Sequence, residues 1–407
     1  MPSPVVGLAD KKGVGPFAEH VDVFLDSLRE LRYSTESVRQ KRAILVELGR
    51  WFHRHRLGIA GLDEERLEAF VRDPRRRCKS MGGVRRTGAQ LLRYLRLAGL
   101  VPLRPSTPPG PIEEAENAYS TYLRAERGVA DSTVALYVRL LRPFLVERCV
   151  GTRLRFAELT APDVIRHVVQ RARAISVPHA KLVVTALRSF LRFLHVEGLV
   201  ANDLTASVPT VPNWRLSTVP KFISVGDVRR LLCACDRRTA SGRRDYAILL
   251  LFARLGLREC EVRQLMLEDV HWRAGELLVR GKGPLEERIP LPHDVGHALA
   301  QYLRRDRPQC ALHAFFIGAY APRRALAVGA VSSIVKRAIR RAGIQTPSSG
   351  AHLLRHSLAT HLLRRGGSLS EVGDLLRHRH AQTTLLYAKV DLAALRTISP
   401  PWPEVAR

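Results

Sequence analysis

Six residues in the C-terminal half have types and spacings that could do chemistry. They are Arg258 in LGLRECEVRQL, Lys282 in RGKGPLEER, His352 and Arg355 in HLLRHSLATHLL, and His378 and Tyr387 in LRHRHAQTTLLY. Guanidinium and ammonium groups grip anions, imidazoles move protons, and a phenol can serve as a nucleophile. His352 and Arg355 stand one helical turn apart, so a helix would present both on one side. Taken singly each residue is ordinary. An isolated arginine in an arginine-rich chain is usually a surface charge, and a lone tyrosine closing an apolar run is usually packing. Tyr387 therefore has two readings at this point, a core aromatic or the working end of an active site.

The bulk charge says what such a site would face. The chain has 407 residues, with 66 Lys and Arg against 38 Asp and Glu, for a formal charge of +28. That excess exceeds what solubility requires, and DNA or RNA heads the candidate polyanions. A membrane surface could attract the same charge, but no window approaches the roughly 20 apolar residues of a spanning helix, and the N-terminus lacks a signal-peptide core. The expectation is a soluble, cytoplasmic, nucleoid-associated protein with no membrane partner. Six cysteines at 78, 149, 233, 235, 260 and 310 include one C-x-C pair, poor zinc spacing, and read as reduced thiols. His378 and His380 beside His356 and His361 lack convergent Cys or Asp partners, and Gly281 and Gly283 are followed by no G-K-[ST] phosphate loop. No metal and no cofactor is expected.

The elements that must position these residues are mostly helices. The first half is written twice: Ser34-Thr35 recurs as Ser132-Thr133, AGLDEERLEAFV as AELTAPDVIRHVV, and LLRYLRLAGLV as FLRFLHVEGLV, at an offset of 97 to 99 residues. Each copy has a Ser or Thr N-cap opening one helix, an acidic start to another, and a long basic helix ending at a glycine. In the last of these, Val183, Leu187, Phe190, Leu191 and Leu194 share a face while Lys181, Arg188 and Arg192 fall on others. Those three basic residues are candidate DNA contacts, against the alternative of a solvated basic face.

Proline-rich stretches at 102–111 and 208–222 separate the modules. From Ser224, a capped helix through Leu232, a second holding Asp245 to Leu255 and a third near Glu259 precede GELLVRGKGPLEERIPLP, which alternates as two short strands around a Gly-Lys-Gly turn. The fold class is mainly α, with helical modules and a mixed α/β domain of mostly helices with a small antiparallel sheet. The boundaries are 1–105 for an N-terminal helical DNA-binding module, 112–210 for its helical counterpart, 221–395 for the domain holding the six residues, and 396–407 for a short tail.

In this order, GLR-x-x-E, GKG, H-x-L-R-H, L-x-H and a downstream Tyr resemble the tyrosine recombinases, the phage-integrase family of site-specific DNA recombinases. HLLRHSLATHLL resembles that family's second arginine box, and GKGPLEERIPLP its β-hairpin lysine segment. Glu261 and Asp269 also stand where the family pattern has acidic residues. The resemblance covers roughly 221–390, and 112–205 more loosely resembles the family's helical core-binding domain. It implies a C-shaped clamp around DNA and an enzyme that cleaves and rejoins strands through a 3′-phosphotyrosyl intermediate, without metal or ATP.

The resemblance assigns parts residue by residue. Arg258 and Arg355 hold the non-bridging oxygens of the scissile phosphate, since a rigid, permanently charged fork suits the charge that builds there. Tyr387 is the nucleophile. Its phenol, with an ordinary pKa near 10, is a poor one at neutral pH, so nearby positive charge would favour the phenolate, with His352 as proton acceptor. Lys282 protonates the leaving 5′-oxygen, and His378 hydrogen-bonds the phosphate.

The chain departs from the family pattern where Arg377 replaces the usual Gly before the second histidine. Either the backbone there needs no positive φ, or a further basic side chain approaches DNA. After Tyr387 only VDLAALRTI could dock onto a neighbouring protomer. The implied partners are a double-stranded recombination site and further copies of the chain, a tetrameric synapse with or without sister recombinases. The extra N-terminal module suits a mobile-element recombinase acting in integration or excision. The alternatives are a catalytically silent DNA-binding protein of the same fold, a type IB topoisomerase-like enzyme and a helical transcriptional regulator.

Overall fold

The computed structural model describes residues 15–75, 80–103, 108–212, 219–281, 286–346 and 348–390. Lys282 and the tail 396–407 lie outside them. By compactness the chain divides into two units, Pro105–Thr218 and a unit formed by Met1–Arg104 with Val219–Arg407.

Among the described residues of the first hundred, the α-helices are α1 (Ala18–Glu30), α2 (Thr35–Arg54), α3 (Glu64–Arg72) and α4 (Met81–Leu97). Their amphipathic faces close on a core that includes Phe24, Leu45, Phe52, Val84 and Leu91. Each such side chain contributes about 1.5–3 kcal/mol by leaving water. The side chain of Ser34 caps α2 by accepting from the Ser37 N–H, and that of Asp63 caps α3 by accepting from the Arg66 N–H, as first-turn donors without intrahelical partners require.

The unit Pro105–Thr218 repeats the order with α5 (Pro111–Ala125), α6 (Asp131–Arg148), α7 (Ala161–Ala174) and α8 (Val177–Val196), plus a small ribbon of β1 (Cys149–Val150) and β2 (Arg153–Leu154). Its core holds Tyr119, Phe144, Leu187, Phe190 and Leu194. After α4 and after α8 the chain turns identically. Gly99 and Gly198 take φ of +71° and +70°, and the next N–H, from Leu100 or Leu199, returns to the carbonyl of Leu95 or Leu194. Such a left-handed turn is nearly free for glycine. One expectation is corrected: α6 begins at Asp131, with Ala130 at the cap position and no side-chain cap, so Ser132-Thr133 lie inside its first turn. α7 carries a capping box, Thr160 with Asp163.

The remainder opens with α9 (Val225–Cys233), capped by Ser224, and α10 (Ala240–Leu255). Ala247 to Phe252 are buried in unbroken succession, which marks α10 as a helix surrounded on all sides. α11 (Glu259–Gln264) follows, then a three-stranded antiparallel sheet in the order β3 (Val270–His271), β4 (Glu276–Arg280), β5 (Glu286–Pro290). Leu277 and Val279 alternate inward, and Leu278 stands opposite Arg288 across the hairpin. α12 (His293–Arg305), α13 (Ala330–Arg341), α14 (His352–Leu363), α15 (Leu369–Leu375) and α16 (Ala381–Thr384) complete the order, and a 3₁₀ turn over Leu385–Val390 carries Tyr387. The mainly helical class with a small antiparallel sheet is as expected. No helix among the described residues is long and apolar enough to cross a membrane.

Candidate active site

The site forms where the C-terminal end of α10, the N-terminal end of α14 and the loop after α15 meet. α10 ends at Gly256, whose φ of +57° redirects the chain toward Arg258. Arg355, one turn into α14, donates through one Nη to the Gly256 carbonyl and through the other to the Leu376 carbonyl. It is only 4% exposed. A planar fork can span two carbonyls from different segments in a way an ammonium cannot. Burial, with repulsion from Arg258 and Arg377, pushes the Arg355 guanidinium down to about 10, still charged at neutral pH.

Arg258 is organised by Glu261. Its N–H donates to Oε2 at 2.7 Å and its Nη1 to Oε1 at 2.6 Å, while Nη2 donates to the Arg377 carbonyl at 3.0 Å. Burial opposes the Glu261 carboxylate, but the Arg258 N–H and guanidinium and the Arg377 charge outweigh it and keep its pKa below the usual range. Asp269, equally buried, ties the end of the hairpin strand by accepting from Arg280 and from the Met266 N–H.

Tyr387 is 1% exposed and packs with Ala359, Leu363, Val372 and Leu376. Its hydroxyl meets Nδ1 of His356 at 2.7 Å, and the His378 ring lies parallel to it at 6.3 Å. Nδ1 of His378 meets Thr384 Oγ1 at 2.8 Å. Burial pushes the phenol up to about 12 against the pull of Arg355, so in the DNA-free chain desolvation overrides the phenolate-favouring charge that the sequence led one to expect. Burial, with nearby positive groups, also drops His356 and His378 to about 4. His352 stands at the head of α14, its ring 6.1 Å from that of His356. Desolvation and the charges of Arg355 and Arg258 lower its pKa.

Five of the six residues singled out from the sequence thus come together: Arg258, His352, Arg355, His378 and Tyr387. The sixth, Lys282, lies outside the described residues. Sequence reasoning missed His356, which touches the phenol where His352 was expected to. The available signal was its position four after His352, on the same helical face. Arg377 is a further correction. Its backbone does adopt a left-handed φ of +55°, and its side chain is 7% exposed and paired with Glu261 at 3.1 Å, instead of lying on an open DNA-facing loop. In the unit Pro105–Thr218, Lys181 and Arg192 are exposed, whereas Arg188 is half-buried and donates to the Val208 carbonyl at 2.7 Å.

Residues 221–393 match the phage integrase family. The y4rA product of Sinorhizobium fredii, classed as an integrase/recombinase, is 39% identical over 396 residues, covering 97% of this chain and 96% of its own length. Tyrosine recombinase XerD of Mycobacterium tuberculosis is 34% identical over 301 residues, 69% of this chain and 94% of its own. Among solved structures, XerH site-specific recombinase bound to a palindromic difH substrate aligns with 99% of this chain and 100% of its own at a TM-score of 0.53 and 17% identity. A lambda integrase dimer (residues 75–356) bound to a COC′ core site aligns with 72% of this chain and 99% of its own at 0.51 and 17%. The chain belongs to the phage integrase family, the tyrosine recombinases.

Proposed function

We propose that this chain is a site-specific DNA recombinase that cleaves and rejoins strands through Tyr387 in integration or excision. The observation that carries the reading is the Tyr387 phenol set among Arg355, His356 and His378, with Arg258 held at the same centre by Glu261 and the Arg377 carbonyl. Arg258 and Arg355 bind the non-bridging oxygens of a scissile phosphate, which gain charge as a fifth oxygen approaches. The Tyr387 oxygen attacks phosphorus, its proton passes to a histidine, and the bond to the 5′-oxygen breaks. The strand then carries a 3′-phosphotyrosyl link and a free 5′-hydroxyl, the 5′-oxygen having gained a proton from Lys282. Attack by a new 5′-hydroxyl reverses the step, so the bond energy is conserved without ATP. His378 steadies the phosphate. The arginines supply the electrostatic stabilisation that needs no metal.

Double-stranded DNA as partner rests on the +28 charge and on the DNA-bound relatives. Exchange between two sites requires several active protomers, and a tetrameric synapse meets that need. The helical module 1–105 extends the footprint beyond that of 112–210, where Lys181 and Arg192 serve as phosphate contacts, and of 221–395.

The test is a nicked suicide duplex carrying the cognate junction, incubated with wild-type protein and Tyr387→Phe and resolved on a denaturing gel. A covalent protein–DNA band from the wild type alone is the expected result. Specific binding by both proteins with no band from either would leave a silent DNA-binding protein as the better reading.

A further inference from the structure

Arg377 occupies a backbone position that does not suit it. Its φ of +55° lies in the left-handed region, where a side chain costs roughly 1 kcal/mol and glycine is the usual occupant. Arg32 and Arg56 take the same left-handed φ with exposed side chains, so the φ alone assigns no role, and what sets Arg377 apart is its side chain. Here the side chain turns inward. Nη2 donates to Glu261 Oε2 at 3.1 Å, and Nη1 to the carbonyls of Leu375 at 3.1 Å and Leu255 at 3.5 Å.

Two routes then run from residue 377 to Arg258. The Arg377 carbonyl accepts directly from Arg258 Nη2 at 3.0 Å. The Arg377 guanidinium holds Glu261, whose other oxygen takes Arg258 Nη1 at 2.6 Å. Any residue could supply the first route, but the second needs this side chain. Without that side chain Glu261 would be held by Arg258 alone, through its N–H and Nη1, and could shift together with the arginine it orients. Held between two guanidiniums, it becomes a fixed reference.

We propose that Arg377 is a positioning residue for phosphodiester cleavage: by fixing Glu261 through a guanidinium outside Arg258, it holds the Arg258 fork in the orientation that meets the scissile phosphate. The inference rests on the strand-cleavage reading above. It assigns the left-handed arginine a use that neither fold nor DNA binding requires, since glycine at 377 would satisfy the backbone without strain.

The experiment uses the full chain with Arg377→Gly, Arg377→Lys, Glu261→Gln and the double variant Glu261→Gln/Arg377→Gly. Adduct formation on the nicked duplex, affinity for the same duplex and thermal unfolding are measured in parallel. Arg377→Gly should bind DNA normally and cleave roughly tenfold to a hundredfold more slowly, the size of effect that misplacement of a reacting group produces. The double variant should cleave no more slowly than Glu261→Gln alone, because both changes break one linkage. Arg377→Lys should stay slow, since a point charge cannot reproduce the fork. Wild-type rates from Arg377→Gly or from Arg377→Lys would overturn the proposal. So would independent, additive losses, which would instead assign Arg377 to the phosphate through its Nε, a buried donor with no acceptor among the described residues. Should wild type itself form no adduct on a verified site, the strand-cleavage reading fails. The thermal cycle then decides the pair: coupling between 261 and 377 supports it, and additivity overturns it.

Discussion

The Tyr387 hydroxyl lies 2.7 Å from Nδ1 of His356, one residue beyond Arg355 on α14. With the phenol pushed up to about 12 and the imidazole down to about 4, both are neutral near pH 7. The contact is then a hydrogen bond between two neutral groups, in which the O–H donates to Nδ1 when the ring proton sits on Nε2. The Tyr387 oxygen is thus buried and protonated, and whatever frees it must work against that bond and the apolar packing around the ring.

His356→Leu should strand a buried phenol donor, at a cost of about 1–3 kcal/mol, and slow adduct formation. His356→Asn, whose side-chain oxygen can stand near the Nδ1 position, should recover part of both. Thermal midpoints and adduct rates for the two variants check this. Identical behaviour of Leu and Asn would show that the hydrogen bond has no role.

Acid should destabilise the chain through His356 and His378. Their folded pKa values, about 4, lie below the ordinary value near 6.5, so between those limits the unfolded chain binds more protons and stability falls as pH falls. Each can contribute up to roughly 2–3 kcal/mol across that window. Melting midpoints from pH 7.5 to 4.5 should drop, and less steeply in His356→Asn. An unchanged slope would mean that other groups govern acid unfolding.

Gly256→Ala should damage stability and cleavage together. A Cβ there would stand 2.7 Å from Leu376 Cδ2 and 3.2 Å from Leu358 Cδ2, on a backbone with φ +57°. The strain and the clash together should cost about 1–3 kcal/mol, read from denaturant midpoints. Because the Gly256 carbonyl also accepts from Arg355, the adduct rate should fall beyond the fraction unfolded.

Arg355→Lys keeps a charge but cannot bridge the Gly256 and Leu376 carbonyls. With one acceptor left unpaired, a loss of about 1–3 kcal/mol should accompany near-complete loss of adduct, while affinity for DNA stays close to wild type. Wild-type cleavage by this variant would remove Arg355 from the chemistry.

The sequence by itself determined the helical class, the hairpin and the order of the chemistry-bearing residues, because those rest on local signals. Ser224 and Asp63 cap the helices that follow them, Gly99 and Gly198 end α4 and α8 through left-handed turns, and β4 alternates Leu277 and Val279 inward. Helix starts were less legible where no side chain caps them, as at Ala130. The tertiary structure alone decided which histidine meets Tyr387, 31 residues away, and that Arg377 turns inward to Glu261, 116 residues away. It also decided that the phenol is buried and neutral, where the sequence pointed to a charge-stabilised phenolate. Such choices depend on which segments α10, α14 and the loop after α15 bring into contact and on how much water they exclude, and neither spacing nor composition encodes distances between side chains so far apart along the chain.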